Sequence, residues 1–165
     1  MGKVQEIFGN GRPGAVSRSV DDIIISVRNA GETDIPFGAP VFMTPEGAVP
    51  FDIENPQEFF TFVGFAVRVA DKTPDTYGAG QFSDPPEGAW HAGDVVEILT
   101  RGSMAVPLES IGSLGSPVYI RKADGKLTTS MGTSNSAVLL ENVRIRNPRD
   151  ASGCAEITVN RRNAI

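Results

Sequence analysis

The chain has 165 residues, 40% of them apolar and 21% charged, with a formal net charge of −5, 18 glycines, 12 prolines and one cysteine. This length supports one domain, or two small lobes sharing a core, and a domain of this size hides roughly 70% of its unfolded surface. The acidic balance argues against a general nucleic-acid binder, the lone Cys154 excludes an intramolecular disulfide, and no apolar run suits a signal core or a membrane span.

Glycine and proline punctuate the chain too often for long helices, so the expected fold class is all-β with many turns. Residues 1–19, MGKVQEIFGNGRPGAVSRS, carry only scattered apolar groups among glycines and are read as an extended N-terminal arm. Val4, Ile7, Phe8 and Val16 are costly to leave in water, so the arm either frays or lies on a neighbouring molecule. Arg12 and Arg18 are its candidate charged contacts.

A β domain is expected over residues 20–160, with 161–165 as a loose tail. Ile23, Ile25 and Val27 alternate with Asp22, Ile24, Ser26 and Arg28, the pattern of a strand with one mainly buried face. Ala39–Met43 is predicted as a short strand with TPEG as its turn, and Pro40 costs little near a strand start. In residues 59–69, FFTFVGFAVRV, Phe60, Phe62 and Gly64 alternate against Phe59, Val63, Phe65 and Val67 in a central strand. Gly64 there signals a bulge or a close backbone approach.

Residues 71–92 have no periodicity and form a long loop. Its Tyr77, Phe82 and Trp90 are either a partner-contact patch or a loop folded on its own apolar groups. GDVVEILTRGSMAVPL predicts two strands around a turn at Arg101-Gly102, with Val96 and Ile98 on one face. KADGK is a hairpin turn in which glycine supplies positive φ, and AVLLENVRIRN and CAEITVN are the closing strands.

The chain also echoes itself. Gly38, Pro40, Val41, Phe42 and Met43 answer to Gly115, Pro117, Val118, Tyr119 and Ile120, and Gly47 to Gly125. Further on, Phe65, Val67 and Arg68 meet Val143, Ile145 and Arg146, and Glu97-Ile98 meets Glu156-Ile157. The expectation is a duplicated β unit, about 35–108 and 112–160, closing into a compact barrel or sandwich, because one such unit cannot hide its apolar face alone. Charge divides differently from pattern. Residues 1–110 hold 16 acidic and 7 basic side chains, residues 111–165 hold 4 and 8. Either this is unevenly solvated charge, or a polar molecule meets a partner or its own copy end to face.

No catalytic constellation emerges. His91 is the only histidine, without a nucleophile signature, and is read as solvent-facing or capping. Carboxylates and Cys154 show no metal-ligand spacing, and GNGRPG lacks the strand-to-helix context of a phosphate loop. Cys154 is placed at a strand start as a small core residue. No cofactor or metal is expected.

The ordered series FGAPVF…EGAV, FVGFAV, AGDVVEILTRG and GSPVYIRKADGKLTT, behind a glycine-containing arm, resembles the cement, or decoration, proteins of tailed-bacteriophage capsids. The resemblance covers most of residues 30–160. It implies a non-enzymatic virion protein on the outer capsid surface, made in the host cytoplasm, often a homotrimer, whose partner is the major capsid protein. Contact to shell or subunit is then expected at Val4, Ile7, Phe8, Arg12, Val16, Arg18, Tyr77, Phe82 and Trp90. The alternative is a small β-barrel binding or carrier module, for which AGDVVEILTRG is the cue and Lys126 the nearest modifiable lysine, although ADGKLTT lacks the methionine expected beside a biotinylated one.

Overall fold

A computed structural model describes residues 9–54, 61–69, 88–133 and 136–160. These form strands β1 (Val16–Arg28), β2 (Ile35–Pro36), β3 (Pro40–Thr44), β4 (Gly47–Pro50), β5 (Thr61–Ala66), β6 (Ala89–Trp90), β7 (Val95–Pro107), β8 (Pro117–Arg121), β9 (Leu127–Thr128), β10 (Ala137–Asn147) and β11 (Cys154–Asn160). The all-β expectation is met. One sheet runs in the order β4-β3-β5-β7-β11-β10-β8-β9, with β1 also on β7, and β2 pairs with β6 apart from it.

The centre of the molecule is β7. β1 follows it from Val95 to Met104, while β5 meets it at Ile98–Leu99 and β11 from Arg101 to Pro107. A strand has only two edges, so β5 and β11 share the edge that β1 leaves open. The sheet therefore splits into two lobes, β3–β4–β5 and β8–β9–β10–β11. They fold over one core in which Phe42, Phe65 and Leu99 meet Val118, Ile120, Val143, Ile145 and Ile157. The arrangement is sandwich-like, and among the described residues the sheet path ends at β4 and β9. A second core, with Ile35, Phe37, Val41, Val63, Trp90 and Ile98, lies on the other face of the first lobe and is partly covered by Ile25 and Val27.

Two glycines reshape the expected strands. Between Val41 and Phe42 the register of β3 against β5 shifts by a bulge, so Phe62 and Phe65, expected on opposite faces, share one. Their rings meet edge to face at 5.4 Å. Gly64 sits where a Cβ would come 2.1 Å from the Leu99 carbonyl oxygen, the close approach its position suggested. Gly102 differs from expectation. No turn breaks the chain there, and β7 runs through Arg101-Gly102 as one strand. Gly102 has a φ of 128° and lies under Asp22, whose Oδ1 would be 2.1 Å from a Cβ, where β1 bulges between Arg18 and Ile23. The glycine admits a neighbouring strand's side chain instead of reversing its own.

The β3–β4 hairpin turns at Pro45-Glu46, and Gly125 takes the φ of 69° expected in KADGK. β10 and β11 match the two closing strands expected, and Cys154 is the buried first residue of β11. The β1 strand begins at Val16, inside the segment read as an arm.

Candidate contact surface

Described residues of the N-terminal segment are strapped to this chain's own sheet. The Asn10 amide donates to Asp150 Oδ2 at 2.5 Å, and its side-chain amide donates to the carbonyls of Pro148 and Cys154. Gly14 bonds to Ala105 and accepts from Arg68, whose guanidinium lies 5.3 Å from the Phe37 ring centroid. Beyond Val16 the strap meets Glu156, a carboxylate on β11 that is only 3% exposed. Ser17 Oγ and Arg18 Nε donate to Oε1 at 2.7 and 2.9 Å, and Asn147 Nδ2 donates to Oε2 at 2.9 Å. Burial pushes the Glu156 carboxyl up, but the hydrogen bonds from Arg18 and Ser17 and the charges of Arg18 and Arg146 outweigh it and hold it below the ordinary glutamate range.

Four of the nine sequence-derived contact residues lie among the described residues. Arg12 is exposed, Val16 packs half-buried on the main core opposite Met104, and Arg18 is spent on Glu156. Trp90 is turned inward and is 5% exposed. Its indole N–H donates to the Val67 carbonyl at 3.0 Å and its ring meets Phe37 edge to face, so it completes the second core. Val4, Ile7, Phe8, Tyr77 and Phe82 lie outside the described residues. His91 is exposed, with Nδ1 2.9 Å from Asp34 Oδ2. Lys126 pairs with Glu109 at 3.0 Å. Among the described residues no group of three histidine, cysteine or acidic side chains could hold a metal ion.

Two opposite poles stand out instead. At one, the loop 30–34, the β3–β4 turn and the turn 91–94 converge on Asn29, which is buried and donates to the carbonyls of Thr33, Trp90 and His91. Asn29 also bonds through its backbone to Gly93 and Asp94, and Ala30 to Ala48. The converging loops carry Glu32, Asp34, Glu46 and Asp94, and at the adjoining end of β7 Val95, which is 57% exposed, pairs with Arg28 of β1. The other pole lies beyond the far end of β7. There the loop 110–116 is stitched to the end of β10: Arg149 N donates to Ile111 O, Gly115 N to Ile145 O, and Ile145 N to Ser116 O. Ile111 and Leu114 project from that loop, 73% and 76% exposed.

Alternation along β10 turns Val143 and Ile145 inward and Arg144 and Arg146 outward, and Arg149 follows, also exposed. None of the three arginines has an ion-pair partner among the described residues. An apolar groove of about 380 Å³ opens beside Arg149, between Pro40, Pro107, Leu127 and Gly153. Sequence reasoning passed over Ile111, Leu114 and these arginines. The alternating VRIRNPR was the available signal, but only the fold brings it beside SIGSLGS.

A family model described as structural cement protein (E217 gp24/Pam3 gp6) matches residues 2–160. Among solved structures, a chain from the capsid of Myoviridae phage XM1 has the same fold, with a TM-score of 0.70, 16% identity and 96% of each chain covered. No curated protein matches the chain.

Proposed function

The chain belongs to the structural cement protein family of phages, a structural virion protein that reinforces the capsid and not an enzyme; from that premise we propose that it clamps adjoining subunits of the major capsid protein from the outer shell surface, with residues 1–8 reaching onto a neighbour. The family match over nearly the whole chain carries the proposal. Asn10 is bonded to the 148–154 turn, which fixes that point of the chain to the body. A contact made from an anchored point adds to the body's own binding as an intramolecular event.

Duplication is part of the proposal. Hairpin β3–β4, then β5, then β7 on one side is answered by hairpin β8–β9, then β10, then β11 on the other, with β7 and β11 antiparallel between them. Val41 and Val118, and Phe65 and Val143, equivalent in the echo, are all buried. Copies are proposed to join as a homotrimer on the shell, after synthesis in the host cytoplasm.

The test uses capsids lacking the protein, mixed with the full chain or with a chain missing residues 1–8. Co-sedimentation measures binding and calorimetry the melting of the shell. The full chain is expected to bind and raise the shell melting temperature, and the shortened chain to bind more weakly. Unchanged affinity on shortening removes the arm from the clamp, and a full chain that leaves the shell unaffected overturns the clamp itself.

A further inference from the structure

We propose that the patch formed by Ile111, Leu114, Arg144 and Arg149 docks onto a second copy of this chain, against the acidic pole around Glu32, Glu46 and Val95. Single exposed apolar residues are ordinary, but here the two most exposed large ones among the described residues sit in one loop. That loop is hydrogen-bonded to a strand whose outward arginines have no ion-pair partner among the described residues. Apolar anchors ringed by arginine are the composition of a protein interface, since the planar guanidinium forks onto carboxylates while its stem covers apolar surface.

The occupant is chosen by charge. Residues 1–110 carry 16 acidic against 7 basic side chains, and four of their described carboxylates, Glu32, Asp34, Glu46 and Asp94, stand on the loops of the Asn29 pole, beside an exposed valine. Across the ladder Arg144 stands level with Ser103 of β7, eight residues from Val95, so the two surfaces are about 26 Å or more apart at roughly 3.3 Å per residue. Unlike surfaces so far apart cannot satisfy each other within one chain. They meet between copies in a heterologous, head-to-tail contact, which closes into a ring when the rotation allows and runs on as a row when it does not. On a shell either outcome ties more subunits together, so the inference deepens the clamp reading and rests on it for its purpose, though its test needs no shell.

Light scattering on a sizing column is run on the full chain at about 0.05 and about 0.5 M salt, where the screening length falls from over 10 Å to below 5 Å. The variants are Arg144→Glu/Arg149→Glu, Ile111→Ser/Leu114→Ser and Glu32→Lys/Glu46→Lys, each first checked for an unchanged melting temperature. The wild type is expected to associate at low salt and to weaken at high salt. Each variant alone should weaken about tenfold or more, and the two charge-reversed variants, mixed in equal amounts, should associate again. A wild type that is monomeric at low salt, an oligomer indifferent to these variants, or a mixture that does not recover overturns the proposal. Shell binding by the wild type is measured separately, and its absence counts against the clamp and not against the contact between copies.

Discussion

Replacing Glu156 by glutamine tests how the N-terminal strap is held. The substitution keeps the side chain's shape and its buried methylenes, and removes the charge. In the native protein the carboxylate is 3% exposed and accepts from Ser17, Arg18 and Asn147. The Arg18 side chain is 52% exposed, so its pairing is screened and is left out of the estimate. A hydrogen bond to a charged group nets about 1.5–3 kcal/mol against about 0.5–1.5 for a neutral one, so the bond from Ser17 loses about 1 kcal/mol, and so does that with Asn147 once its amide turns to offer its oxygen to the new NH2. Relief from burying a charge returns part of this, leaving a loss of about 1–2 kcal/mol.

For a chain of this size that lowers the melting temperature by about 2–8 °C, read by circular dichroism near neutral pH. Acid supplies the sign. The native Glu156 carboxyl titrates below its unfolded counterpart. Its stabilisation is therefore complete above the unfolded value of about 4.3 and is lost as pH falls through the native one. The glutamine variant has nothing to titrate there, so its deficit should shrink as pH drops below about 4. A variant melting within about 1 °C of wild type near neutral pH, or a deficit that stays constant into acid, refutes the clasp.

Gly64→Ala places a methyl 2.1 Å from the Leu99 carbonyl oxygen, whereas Gly115→Ala, at a φ of 82°, meets nothing within 4 Å. The first should cost about 3 kcal/mol or more and the second about 1, in denaturant unfolding; equal costs would show that β5 and β7 can separate freely. Trp90→Phe leaves the buried Val67 carbonyl without the indole N–H at 3.0 Å. A loss of about 2–3 kcal/mol is expected with shell binding unchanged; weakened shell binding in a folded variant would restore Trp90 as a contact.

Patterns confined to one strand were legible before the fold was known. Alternation placed β10 and β11, and paired turn residues placed the β3–β4 and β8–β9 hairpins. These follow from backbone sterics and a side-chain period of two, which act over a few residues. Gly64 and Gly102 mark the boundary. Each could be recognised as a special position, but whether it meant a turn, a bulge or a neighbour's approach depended on which strand lay alongside. Sequence left Trp90 open between a partner patch and a loop folded on its own apolar groups, because Phe37 and the Val67 carbonyl, which it meets, are remote in the chain. The proposed contact surface was the least legible of all, since Ile111 and Leu114 are brought to the strand of Arg144 and to Arg149 only through hydrogen bonds closing across the sheet. The sequence by itself determined the β class, the hairpin turns at Pro45-Glu46 and around Gly125, and the uneven sum of charge. Only the tertiary structure decided where that charge stands, because a surface is assembled from strand ends that chain order keeps apart.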